Sequence, residues 1–115
     1  MVDTPKQGDI VRLCLDPKRG HEQQGYRPYL CLSNIVISEI SNIAVFAPIS
    51  NTNRDYPFYY SLDGLEINTT GRVMLDQLVA VDYNARAYSM VESISKRDMR
   101  VILEITKLVF EEDGR

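Results

Sequence analysis

Only one stretch of this sequence keeps a helical period, and it is the last. Met99, Ile102, Ile105, Leu108 and Val109 recur at helical spacing, which lays them along one face. Ser95 followed by Asp98 resembles a capping box at the entrance. The spacing therefore predicts an amphipathic helix from about Lys96 to Phe110. Everything upstream is too short and too often interrupted to form another long helix. A single apolar helix face must be covered by sheet, so the pattern predicts a mainly β chain, a compact barrel-like sheet packed by its C-terminal helix.

The upstream runs read as strands separated by turn signals. Asp9 to Leu15 is rich in Ile, Val and Leu and closes at Asp16-Pro17, a strand entering a turn. Lys18 to Arg27 is polar, holds two glycines and has no apolar period; a loop this long in a compact domain is usually functional or disordered. Pro28 to Ser33 and Ile43 to Ile49 look like buried strands, and Asn34 to Asn42 between them has room for a helical turn. Pro48 argues against pairing at the end of the second run, since it has no N–H for a ladder. Asn51 to Asp55 is a second polar loop and Tyr56 to Ser61 an aromatic strand. Asp63-Gly64 and Asn68 to Gly71 are turns. Arg72 to Leu75 and Leu78 to Val81 are strand material broken by Asp76-Gln77, and Tyr88 to Ile94 is one more strand.

At 115 residues the chain is expected to form one domain, 1–115. No apolar run approaches the roughly 20 residues of a membrane span, and MVDTPKQGD lacks the apolar core of a signal peptide, so a cytoplasmic location is expected. Cys14 and Cys31 sit singly in apolar runs beside one lone histidine. That is too few ligands for zinc, and structural thiols are expected, a disulfide being open to them only if their strands pair. The net charge of -3 argues mildly against nucleic acid as a partner. Its distribution matters more: Lys18, Arg19, Arg27 and Arg54 fall in loop-like segments, and much of the acid lies near the C-terminus at Glu104, Glu111, Glu112 and Asp113.

Three clusters carry chemistry. Between Gly20 and Pro28 lie His21, Glu22, Gln23, Gln24 and Arg27, a histidine that titrates near neutrality and a guanidinium whose fork suits a phosphate. From residue types alone this is equally a functional loop or a solvated polar one. Asp76-Gln77 interrupts apolar strand residues, so Asp76 is either hydrogen-bonded structurally or lines a cleft. Ser50 to Phe58 combines polar residues and Arg54 with Tyr56 and Phe58; bases of single-stranded nucleic acid stack on aromatic faces, although such aromatics more often belong to a core. Asp82 and Arg86 read as a local ion pair fixing a turn.

At this point the motifs resemble a known family. GDIVRLCLDPKRGHEQQGYRPYLCLSN, then PISNTNRDYPF, SLDGLEINTTGRVMLDQ and VDYNAR are similar, in order, to the segments of MazF/PemK/Kid toxins. GHEQQG-x-RP and TTG-x-V-x-x-DQ are the specific parts and are nearest the Kid/PemK branch. The resemblance implies an SH3-like barrel with a C-terminal helix, a cytoplasmic homodimer, an antitoxin of the MazE/PemI/Kis type, and metal-free cleavage of single-stranded RNA by the 2′-hydroxyl, without a cofactor. It implies catalytic roles for Arg27, Ser50, His21 and Asp76. Lys18, Arg19, Glu22, Gln23, Asn51, Asn53, Arg54, Tyr56, Phe58, Thr70, Arg72 and Gln77 are the accompanying RNA-binding candidates. Met74 stands where the Kid branch has an arginine, a place Arg72 is positioned to fill if both share a strand face. Two other readings compete: a degenerate toxin that binds antitoxin without cutting, and a gyrase-binding toxin of the CcdB type, which lacks the GHEQ-x-G-x-RP loop.

Overall fold

The computed structural model describes residues 4–15, 26–86 and 88–114. Lys18, Arg19, His21, Glu22 and Gln23 lie outside the described residues. Among the described residues, seven strands and two helices follow one another as β1 (Asp9–Cys14), β2 (Tyr26–Cys31), α1 (Ile35–Ser41), β3 (Ile43–Ser50), β4 (Tyr59–Ser61), β5 (Arg72–Met74), β6 (Val79–Asp82), β7 (Tyr88–Ser93) and α2 (Lys96–Val109).

All strand pairings are antiparallel, in the order β4-β5-β3-β2-β1-β7 with β6 also on β3. Both faces of the central strands are buried, which is why their sequences read as apolar runs rather than as simple alternation. The period of two sorts the side chains all the same. Ile10, Leu30, Ala47, Ile49 and Val73 join Met99 and Ile102 of α2 in one cluster. Val11, Leu13, Cys31, Ala44 and Phe46 join Val81 and Tyr83 in the other.

The terminal helix forms as its spacing predicts, and Ser95 caps it: the Asp98 N–H donates to Ser95 Oγ at 3.1 Å, and Ser95 Oγ donates to Asp98 Oδ2 at 2.8 Å, the carboxylate meeting the hydroxyl rather than the Ser95 N–H of a full capping box. Helix α1 starts on Asn34, whose side chain accepts from the Ile37 N–H at 3.1 Å. It stops at Asn42, left-handed with φ 61°, a conformation asparagine tolerates. Cys14 and Cys31 are buried thiols. Their strands do pair, but the register sets Cys14 opposite Tyr26 at one end while Cys31 lies beyond Leu30 at the other.

Three local expectations shift. Arg27 is not in a loop, because β2 begins at Tyr26 and pairs Arg27 with Leu13 of β1. Pro48 lies inside β3, opposite Tyr29. It is tolerated where β3 changes partner: Ile43 to Phe46 pair with β6, Ile49 and Ser50 with β5. Strand β4 is shorter than the aromatic run, since a turn at Pro57-Phe58 precedes Tyr59. Asp82 and Arg86 each tie down backbone, Asp82 accepting from the Asn84 N–H and Arg86 donating to the Leu15 carbonyl. No helix among the described residues is long and apolar enough to cross a membrane.

Candidate active site

The partner change on β3 builds the site. Where β3 leaves β6 and takes up β5, the connection between those two strands spans the gap, and a cleft of about 790 Å³ opens there. Arg27 to Tyr29 of β2 and Pro48 to Ser50 of β3 line it, with Asn51 and Thr70. Met74 and the segment Gln77 to Val79 complete the wall. Of the residues singled out in the sequence, Arg27, Ser50, Asn51, Thr70 and Gln77 therefore share one cleft.

Each is positioned by something definite. Arg27 is exposed on β2, and no carboxylate among the described residues forms an ion pair with it. Ser50 ends β3 directly opposite Arg72. Its distance from β5 depends on Gly71, which has φ +117° and whose absent Cβ would stand 2.6 Å from the Ser50 carbonyl oxygen. Only glycine fits that conformation and that approach. Thr70 Oγ1 and Asn51 Oδ1 are 3.0 Å apart, the hydroxyl donating. Glu92 of β7 holds the two residues before Thr70: it accepts from the N–H groups of Asn68 and Thr69 and from the Thr69 hydroxyl. Those donations, the Thr69 hydroxyl first, keep its carboxyl below the ordinary value of 4.5.

Sequence reasoning missed Tyr29. On a strand it sits two residues from Arg27 and shares its side of the sheet; the signal was hidden by reading Arg27 as loop. Burial raises the Tyr29 hydroxyl above its ordinary value of 10.0, while the Arg27 guanidinium pulls it the other way. At neutral pH Tyr29 is thus a neutral hydroxyl next to a fixed cation. Glu92 was also missed, since nothing in a lone strand-end acid points to a loop over 20 residues away.

The other candidates fall elsewhere. Asp76 is exposed in the turn between β5 and β6, one residue before Gln77, so no burial cost has to be offset. Arg72 is turned to the loop after Ser50, donating to the Thr52 carbonyl and to Asp55. Asn53 and Arg54 are exposed on that loop. Tyr56 is 42% exposed rather than a core residue, and its ring meets Phe58 at 6.2 Å and Tyr59 at 5.0 Å, edge to face. Gln77 Nε2 donates to the Tyr59 hydroxyl at 3.3 Å, joining that aromatic group to the cleft wall. Met74, in the cleft wall, accepts a weak contact from Gln77 through its sulfur.

The described lining thus offers one cation, three hydroxyls and two amides, and no carboxylate. That donor set suits an anion such as a phosphodiester.

A family model described as PemK-like, MazF-like toxin of type II toxin-antitoxin system matches residues 6–110. Endoribonuclease PemK of Escherichia coli is 36% identical over 101 residues, spanning 85% of this chain and 76% of that protein. The fold matches a MazE-MazF crystal structure from Deinococcus radiodurans with a TM-score of 0.80 at 18% identity, over 97% of this chain and 100% of that one. It matches a mycobacterial endoribonuclease in complex with its cognate antitoxin with a TM-score of 0.77 at 18% identity, over 96% and 99%. With the family model matching residues 6–110 and a relative 36% identical over 85% of this chain, the chain belongs to the PemK-like, MazF-like toxins of type II toxin-antitoxin systems.

Proposed function

We propose that residues 1–115 act as one cytoplasmic toxin domain, a sequence-specific endoribonuclease that cuts single-stranded RNA without a metal. The observation that carries the reading is the gathering of Arg27 and Ser50, far apart in sequence, in one cleft with further neutral donors. The name of the PemK relative supports the activity.

In the reaction a base removes the 2′-hydroxyl proton, the 2′ oxygen attacks the adjacent phosphorus, and the bond from phosphorus to the 5′ oxygen breaks. The departing oxygen takes a proton from an acid, leaving a 2′,3′-cyclic phosphate and a 5′-hydroxyl. Arg27 neutralises charge growing on the nonbridging oxygens, and Ser50 donates a hydrogen bond to the same group. His21 and Asp76 are proposed for proton transfer and charge stabilisation, Asp76 from the rim of the cleft, one residue before the lining Gln77. Asn51, Thr70 and Gln77 hold the RNA in register. Lys18, Arg19 and Arg54 attract phosphates, and Tyr56 and Phe58 offer faces for a base.

The partners follow from the same family. We infer a homodimer, for which the apolar residues Val36, Ile37 and Ile40 on α1 and Leu108 and Phe110 at the end of α2, all exposed, offer surfaces a second copy can cover. An acidic antitoxin tail that folds on binding would compete with RNA for the basic residues Lys18, Arg19, Arg27 and Arg54. A catalytically degenerate toxin is the second reading, favoured by Met74 in the cleft wall.

One assay separates these readings: purified protein is incubated with a long RNA in EDTA and the ends are mapped. Cyclic phosphate and 5′-hydroxyl ends are expected. Activity abolished by EDTA and restored by magnesium would overturn the mechanism, and tight antitoxin binding without cleavage would establish the degenerate reading.

A further inference from the structure

We propose that Arg72 is a positioning residue for the cleavage site: its guanidinium clamps the Asn51–Asp55 loop to β5 and so fixes where Ser50 and Asn51 stand. The proposal rests on the endoribonuclease reading and reassigns Arg72 from RNA contact to support.

The placement comes from the sheet. Arg72 lies opposite Ser50 on one side and opposite Ser61 on the other, so its backbone is locked between β3 and β4. Strand β3 ends at Ser50, and the chain then runs without strand pairing until β4 at Tyr59. Across that free stretch the Arg72 side chain, 21% exposed, donates through Nη1 to the Thr52 carbonyl and through Nη2 to Asp55 Oδ1 at 3.2 Å. Asp55 is 94% exposed, and so open a pair contributes little; the partly buried bond to the Thr52 carbonyl is the stronger attachment. Thr52 in turn accepts from the Arg54 N–H at 3.2 Å through Oγ1, so the residue that Arg72 grips also shapes the tip of the loop. Each terminal nitrogen donates one bond to the loop, so the direction of the guanidinium is set by the loop and its open hydrogens are held where these two bonds leave them.

A planar fork can hold two partners in fixed directions, whereas an ammonium cannot. Arg72→Lys therefore keeps the charge and loses the clamp, while Arg72→Gln loses both. Three readouts are taken on the full chain: the single-turnover cleavage rate, the salt dependence of binding to an uncleavable 2′-deoxy oligonucleotide, and amide exchange of the loop without RNA. Both variants are expected to cut about tenfold more slowly, since misplacing a reacting group by a fraction of an ångström is costly. Both should keep the wild-type salt slope and exchange the Arg54 amide faster. A phosphate-contacting Arg72 would instead leave Arg72→Lys near wild type and flatten the slope of Arg72→Gln by about 0.7; that result, or unchanged loop exchange in both variants, overturns the clamp. Wild-type protein that neither binds nor cuts RNA would remove the endoribonuclease reading, and loop exchange would still decide whether Arg72 holds the loop.

Discussion

Replacing Gly71 by alanine tests how tightly the cleft is built. Gly71 has φ +117°, and an added Cβ would stand 2.6 Å from the Ser50 carbonyl oxygen, 2.9 Å from its carbon and 3.1 Å from Asn51 Oδ1. Two of these neighbours are backbone of β3 and cannot swing aside. The conformation alone costs about 1–3 kcal/mol for a residue with a side chain, and forcing an atom into a filled space adds about 1–3 kcal/mol. A loss of roughly 2–6 kcal/mol is expected from the two together, or a melting temperature lower by on the order of 10–20 °C for a chain of this size. Gly64→Ala supplies the control, because Gly64 also has a positive φ of +84° but nothing within 4 Å of its would-be Cβ; it should show the conformational part alone. Relief of the clash requires β5 to move away from Ser50, so cleavage by Gly71→Ala should fall even where the protein is fully folded, and cleavage by Gly64→Ala should not. Urea denaturation and cleavage rates on the two variants measure both effects. Equal stability losses with normal cleavage in both would refute the reasoning.

Two further predictions concern folding stability. Glu92 has a folded-state pKa below the ordinary 4.5, so its contribution is fully present above that value and is lost as pH falls below it, through the depressed value. Glu92→Gln should flatten the acid limb of stability against pH, and an unchanged acid limb would show that the carboxylate does not hold the Asn68–Thr69 turn. Ser38 is fully buried in α1 and its hydroxyl has no hydrogen-bond partner among the described residues, so Ser38→Ala should be neutral or stabilise by about 1 kcal/mol; a clear loss in thermal melts would reveal a partner for that hydroxyl.

The sequence made legible what is local. Helix α2 declared itself through its period and its Ser95–Asp98 cap, and the turn at Gly71 through Asn-Thr-Thr-Gly. Register and long-range contacts were hidden. Arg27 looked like loop because the strand signal begins at Pro28, yet pairing with Leu13 extends β2 upstream, and with Arg27 in the strand Tyr29 comes onto its face. Pro48 looked like a strand end because its missing N–H is a defect in any continuous ladder; here β3 exchanges β6 for β5 at that point and the defect costs little. Arg72 was read as able to replace the arginine absent at Met74, since the two share a strand face. Its partners, Thr52 and Asp55, are 20 and 17 residues away, a distance at which no local pattern reveals them. The motif resemblance brought Arg27 and Ser50 together before any geometry did; period and composition alone left the loop at Gly20 to Pro28 undecided.

Under the proposed function, the cleft around Arg27 stabilises the charge of a breaking phosphodiester. Single-turnover cleavage of a defined RNA by Arg27→Ala, beside its thermal melt, tests it most directly. Loss of a donor aimed at developing charge costs about 100-fold or more in rate, and an exposed side chain without an ion pair among the described residues contributes little to folding. That fall in rate is expected beside a nearly unchanged melting temperature. Near-normal cleavage by a folded Arg27→Ala protein would contradict the role given to Arg27.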